Sequence, residues 1–346
     1  MIQNVQILAQ NEPFWQDKQW KKLLSSAISD PVELLSLLDL APDQLPYEID
    51  PTQKFKQLVP KPFVERMAKG EPNDPLLLQV LPLAKENVEI QGFSSDPLNE
   101  SAALSKTGMA GLLHKYQSRV LFMLASHCAI NCRYCFRREF PYAENRASKQ
   151  NWQQLAEYLE ANPEINEVII SGGDPLAVND RYLTDFVRFI EQIPQIIRLR
   201  IHSRLPIVIP QRVTQPLLNL VQSRLQLVMV VHTNHPNEID SQVSIALNQL
   251  SQAGYQVFNQ SVLLNGINDD VETLAQLSEK LFANKVSPYY LHVLDKVSGT
   301  AHFEVAEQDA KLLIKQLQAK LAGFLVPKLV REIAGEPNKT PLHLTI

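Results

Sequence analysis

Three cysteines occur in the 346-residue chain, and all three fall in one stretch, SHCAINCRYCFRR, as Cys128, Cys132 and Cys135. A thiolate is a soft metal ligand, and three at Cys-x3-Cys-x2-Cys spacing in one loop point to a metal or a cluster rather than to a disulfide framework. A structural zinc site wants four protein ligands in a tetrahedron. His127 adjoins Cys128 and diverges from it, so zinc would need His114 or another distant histidine as its fourth ligand. A cubane [4Fe–4S] cluster normally takes four thiolates, so three leave one iron with an open coordination position.

That open position is useful if a small molecule binds the iron directly. S-adenosylmethionine can do so through its amino and carboxylate groups. An electron from the cluster then cleaves the sulfonium and yields a 5′-deoxyadenosyl radical. Clustered buried thiols with no chemistry are the plain alternative, and their confinement to one loop after a strand weighs against it.

The elements that must position such a loop are legible from the periodicity. From Arg119 onward, short apolar, β-rich runs (RVLFMLAS, EVIISGG, LRIHSR, QLVMVVH, VFNQSVLL, SPYYLHVL) alternate with amphipathic segments such as DRYLTDFVRFIEQI and DVETLAQLSEKLFAN. After the first, successive strands start roughly 30 residues apart, the size of a βα unit. Six units without reversal predict an α/β fold, a partial (β/α)6 TIM-like barrel. Polar residues stand just after the strands, where such a barrel places its site: Cys128, Asp174, Ser203 with Arg204, His232 and Asp295. Ahead of the barrel, residues 1–115 read as a helical, irregular extension. Asp30-Pro31-Val32-Glu33 is a helix start, and Phe63 to Gly70 a second short helix. We expect a barrel core over 116–305, then a C-terminal helix and tail over 306–346.

Composition sets outer bounds. A hydrophobic content of 45% and a charged content of 20% are those of a globular protein. A net charge of −4 gives no electrostatic case for nucleic acid or an anionic membrane as partner. The first residues show no basic segment followed by an apolar core, and no apolar run is long enough to span a bilayer. The expected location is the cytoplasm.

The cysteine spacing, with Tyr134 between the second and third thiols, resembles the radical S-adenosylmethionine superfamily, whose glycine-rich segment is matched by Ser171-Gly172-Gly173-Asp174-Pro175. The resemblance sharpens to the lysine 2,3-aminomutases over roughly residues 60 to 346. It is carried by CRYCFRREF, SGGDPL, HSRLPIVIPQRV, HTNHPNEI, NQSVLLNGIND, PYYLH and GEPNKTP. Length, the N-terminal extension and the stop soon after GEPNKTP resemble the members that serve β-lysylation of elongation factor P.

The resemblance implies a radical isomerase that makes β-lysine, as the (R)-enantiomer, from L-α-lysine. It implies a [4Fe–4S] cluster on Cys128, Cys132 and Cys135. It implies S-adenosylmethionine near Gly172, Gly173 and Asp174, with His232 and Gln260 close by. It implies pyridoxal 5′-phosphate held covalently by Lys339, with its phosphate near Arg119 and Lys115. Arg137 matches the residue that clamps the substrate carboxylate, and Asp295 and Glu332 the acidic pair that receives the distal ammonium. Two acids there favour a cationic substrate. The family pattern has aspartate at the position of Glu332, so the ammonium subsite is longer by a methylene here. The cysteines that bind zinc in longer members have no counterpart, and no zinc is expected. Implied partners are elongation factor P, a separate ligase acting on it, and an electron donor such as flavodoxin or ferredoxin. Two rivals stand beside this reading: an aminomutase acting on another cationic amino acid, and a non-catalytic zinc- or cluster-binding interaction module.

Overall fold

The computed structural model describes residue 15 and residues 17–141 and 149–344. The strands are β1 (Leu112–Tyr116), β2 (Arg119–Ala125), β3 (Glu167–Gly172), β4 (Arg198–Ser203), β5 (Gln226–Val231), β6 (Gln256–Val262), β7 (Ser287–His292), β8 (Lys328–Arg331) and β9 (Thr340–Pro341). They form one sheet in sequential order. β2 to β8 are parallel neighbours, while β1 runs antiparallel to β2 and β9 antiparallel to β8. The six expected strands are β2 to β7. The segment beyond the final helix, expected as a tail, instead supplies a seventh parallel strand, β8, and turns back through β9.

The helices between strands bury one apolar face each, as amphipathic segments in a βα fold must. The helix Asp180–Glu191 buries Leu183, Phe186, Val187 and Ile190, and Asn179 caps its start by accepting from the Tyr182 amide at 2.8 Å. Asp240 and Asp270 cap the helices Ser241–Ala253 and Val271–Ala283 in the same way. No described helix is long and apolar enough to cross a membrane.

The N-terminal segment packs on the barrel rather than standing apart. Trp20, Leu34, Leu35, Phe63 and Leu77 belong to the same buried cluster as Phe122 of β2, Ile170 of β3 and Ile201 of β4. The helix Pro31–Leu37 forms where the sequence places it, with Asp30 accepting from the Val32 amide at 2.9 Å. The second helix, expected over Phe63 to Gly70, lies instead over Lys61–Val64, and the residues from 65 to 70 form turns that end at Gly70, whose φ is +70°.

What aligns the catalytic end of the sheet is backbone contact between the segments after β2 and β3. The Gly173 amide donates to the Ala125 carbonyl at 2.9 Å, and the Asp174 amide to the His127 carbonyl at 2.8 Å. A Cβ on Gly173 would stand 2.3 Å from the His127 carbonyl oxygen, and one on Gly172 (φ +113°) 2.5 Å from that of Ala125. Glycine is thus required here by the approach of two backbones. Gly173→Ala is expected to cost about 1–3 kcal/mol of stability through overpacking, seen as a lower urea midpoint in the unloaded protein.

Candidate active site

The three thiols sit in a loop that the N-terminal segment scaffolds from outside. The Asn131 amide donates to the Leu58 carbonyl at 3.0 Å, and the Arg133 amide to that of Gln79 at 2.8 Å. Arg133 and Glu86, both fully buried, form an ion pair with Arg133 Nε 2.9 Å from Glu86 Oε1. Arg138 reaches the same carboxylate at 2.7 Å. A buried pair of this kind is strongly destabilising to break, because one uncompensated charge remains. None of the three cysteines is in a disulfide, and all line one cavity of about 420 Å³. Burial, followed by their mutual repulsion, raises the Cys128 thiol well above its ordinary range and Cys135 to about 11. Among the described residues, no three His, Cys, Asp or Glu side chains converge on one metal ion. Three thiolate donors lining one cavity are the donor type that iron–sulfur clusters take. His114, a candidate fourth ligand for zinc, instead contacts the Tyr158 hydroxyl at 2.8 Å.

Asp174 is buried, and its carboxylate is consumed by protein. Oδ1 accepts from Ser203 Oγ at 2.6 Å and the Leu176 amide at 3.0 Å; Oδ2 accepts from the amides of Arg204 at 2.8 Å and Leu205 at 3.1 Å. Burial raises its pKa and these four donors oppose the rise. The polar residues after β4 therefore have distinct tasks. Ser203 anchors Asp174, while Arg204 enters the cavity and touches Cys132 Sγ at 2.6 Å.

Another part of the cavity wall comes from β1 and from the segment after β8. Lys339 Nζ donates to Glu332 Oε2 at 2.8 Å, and the Tyr116 hydroxyl to Glu332 Oε1 at 2.8 Å. Burial alone would raise the Glu332 pKa, but Lys339 and Tyr116 hold it below its ordinary value. Asp295 lies beside them, and burial, only partly offset by Lys339, pushes it up to about 7. Arg137 is a bidentate partner of Glu100, with Nε at 2.6 Å and Nη2 at 2.9 Å, and Lys115 joins the same carboxylate at 3.0 Å. Burial would raise Glu100, yet these two cations bring it to about 2. Arg119 has no carboxylate partner among the described residues; its guanidinium stacks 4.0 Å from the Tyr116 ring centre.

All fourteen residues that the resemblance implies for the site line this one cavity: Cys128, Cys132, Cys135, Gly172, Gly173, Asp174, Lys115, Arg119, Arg137, His232, Gln260, Asp295, Glu332 and Lys339; of the other two strand-end residues, Arg204 lines it and Ser203 does not. Sequence reasoning missed Glu100, Tyr116, Arg200, His202, Tyr290 and His292, which line it too. Arg200 and His202 carried a signal, since β4 alternates buried and cavity-facing positions. Burial comes first in lowering all three imidazoles: His202, beside His232 and Arg200, and His292, beside Lys339, fall well below the usual range, and His232, beside Arg204 and Lys339, to about 4. Their Nε2 atoms and Gln260 Oε1 are buried without a hydrogen-bond partner, leaving polar capacity for a bound molecule.

A family model described as a 4Fe-4S single cluster domain matches residues 118–198. An L-lysine 2,3-aminomutase of Haemophilus influenzae is 48% identical over 97% of this chain and 99% of its own length. The chain belongs to the L-lysine 2,3-aminomutase family. The Escherichia coli member is 48% identical over 98% of both chains, and that of Clostridium subterminale 30% identical over 95% of this chain and 78% of its own. Among solved structures, a radical SAM methyltransferase from Sphaerobacter thermophilus aligns over 64% of this chain and 68% of its own, at 15% identity and a TM-score of 0.49.

Asp295 gives this family member a measurable pH signature. Its folded-state pKa of about 7 lies above the unfolded value of about 4. Its contribution to stability is therefore present below pH about 4 and lost as pH rises toward 7. Asp295→Asn should flatten the fall in stability across that window, measured by urea unfolding of the unloaded protein at several pH values.

Proposed function

We propose that the chain converts L-α-lysine to β-lysine by moving the amino group from Cα to Cβ. The observation that carries this is one cavity lined both by three cysteines and by Lys339 with two carboxylates. The cluster with S-adenosylmethionine supplies radical hydrogen abstraction and return, and pyridoxal 5′-phosphate supplies a π-system that carries the migrating nitrogen. The protein's part is orientation and electrostatics.

Cys128, Cys132 and Cys135 would hold the cluster. The backbone at Gly172 and Gly173 lies beside the thiol loop, where it can face the amino group of S-adenosylmethionine; Asp174 acts by fixing the turn after β4. The unspent polar atoms of His232 and Gln260 are available to the same molecule. Lys339 would carry pyridoxal phosphate. Arg119, the cation without a carboxylate partner, suits its phosphate, and Lys115 is already partnered by Glu100 and would assist from there. Arg137 is pre-shaped for a carboxylate, since it already grips one in bidentate fashion. The substrate's carboxylate would meet it beside Glu100. Asp295 and Glu332 would receive the distal ammonium. The longer reach of glutamate is used in the unloaded site to engage Lys339. Tyr134, Phe136, Tyr289 and Tyr290 wall the cavity and exclude water from the reacting atoms.

On the strength of the sequence resemblance, the product would be the (R)-enantiomer, passed to a separate ligase that attaches it to a lysine of elongation factor P. Flavodoxin or ferredoxin would deliver the electron, and the setting would be the cytoplasm, where thiols stay reduced. We assign residues 1–115 the task of bracing the thiol loop, 116–305 the cluster and S-adenosylmethionine, and 306–346 the lysine and its carboxylate.

The test is anaerobic reconstitution with iron, sulfide, pyridoxal phosphate and S-adenosylmethionine, then lysine, arginine and ornithine in parallel, with chiral product analysis. β-Lysine should form from lysine in preference to the other products, and its absence under every condition would sink the proposal. Asp295→Asn should lower kcat/KM for lysine by about 30-fold or more, since it removes one partner of a buried charge pair.

A further inference from the structure

The ends of β2, β3 and β4 are joined in a closed circuit of contacts. The Asp174 amide binds the His127 carbonyl, the Asp174 carboxylate binds the Arg204 amide, and the Arg204 guanidinium returns to Cys132. Resting on the reading of the three cysteines as cluster ligands, we infer that Arg204 sets the reduction potential of that cluster by donating an N–H···S hydrogen bond to Cys132.

Arg204 is held through its two terminal nitrogens, while its Nε is buried without a hydrogen-bond partner. Its Nη1 lies 2.6 Å from Cys132 Sγ and 2.6 Å from the Tyr134 hydroxyl. Its Nη2 donates to Gln79 Oε1 at 2.8 Å and Glu238 Oε2 at 3.1 Å. The rings of Phe63 and Tyr134 lie 5.4 and 5.6 Å from the guanidinium carbon. The side chain is 6% exposed and that of Glu238 fully buried. Gln79 is fixed in turn by donating to Glu238 at 3.2 Å and accepting from Asn234 at 3.1 Å. A guanidinium so restrained cannot swing to another acceptor without leaving several buried groups unpaired.

Adding one electron to a thiolate-bound cluster increases the negative charge on its sulfurs and makes or breaks no bond in the protein. A donor aimed at one of those sulfurs stabilises the reduced state more than the oxidised one, and so raises the potential. The effect is strengthened where water is excluded. Glu238 balances the charge of the arginine and lets it stay buried, while the hydrogen bond itself acts on Cys132. Arg204 is on this account a positioning residue for electron entry. The electron comes from an external low-potential one-electron reductant.

The experiment compares the reconstituted wild type with Arg204→Lys and with the charge-balanced double variant Arg204→Met, Glu238→Gln. Iron per chain is measured first, then the midpoint potential by a dithionite titration followed by electron paramagnetic resonance. Equal iron content with a more negative midpoint in the double variant, and a smaller shift in the same direction for Arg204→Lys, is expected. Equal iron content with an unchanged midpoint overturns the inference, including when S-adenosylmethionine affinity falls. Loss of iron from both variants but not the wild type also overturns it, since Arg204 would then be a support of the loop. A wild type that binds no cluster is a separate outcome, and it would remove the cluster reading and this inference together.

Discussion

One buried carboxylate organises the catalytic end of this barrel. Asp174 accepts four hydrogen bonds, one from Ser203 at the end of β4 and two from the residues just after it, while its own amide is tied to the loop after β2. Each accepted bond favours the charged form of an acid that burial would otherwise neutralise. Removal of the carboxylate would take an acceptor from three backbone amides and a hydroxyl in a dry interior. The glycines before it matter for the same reason. They let two backbone segments meet at a separation no side chain would permit, and the thiol loop is registered against β3 as a result.

The cavity is crowded with charge, yet nearly every charge has an opposite neighbour in the unloaded protein. Arg137 and Lys115 share Glu100, Lys339 has Glu332, and Arg204 has Glu238. A zwitterionic amino acid with a second ammonium would enter by exchange of partners rather than by stripping bare ions of water. Exchange lowers the desolvation cost that would otherwise oppose binding a triply charged molecule in a closed space. Arg119 stands outside this scheme, held by an aromatic face instead of a carboxylate. Asp295 is the other exception: burial raises its pKa, and a cation placed beside it would favour its charged form.

Strong local periodicity made β2 to β7 and the helices between them readable, because each carries its own apolar face. The cysteines were readable because three thiols confined to one loop have little use apart from binding a metal. β8 was not, since four residues between Pro327 and the turn around Gly335 are too few to show a period, and its strand character comes from pairing with β7. Only resemblance to a family pointed to Lys339 and Glu332. Glu100 was invisible for a different reason. It lies in an N-terminal segment with no motif, and its partners, Lys115 and Arg137, are brought to it by the fold alone. In β4, the sequence Arg198-Leu-Arg-Ile-His-Ser-Arg204 does alternate, but with polar residues facing inward, the reverse of an ordinary half-buried strand. Attention to that reversal would have drawn out Arg200 and His202.

The hydrogen bond from Tyr116 to Glu332 joins residues 216 positions apart. Partners so distant along the chain meet late, after the intervening loops have closed, because the entropy of closure must be overcome first. The thiol loop, by contrast, is braced largely by residues that precede it. During synthesis the iron-binding end can therefore mature well before the lysine end exists. A nascent or truncated polypeptide would lack Glu332 and Lys339, so this wall of the cavity is complete only once the segment after β8 has been made.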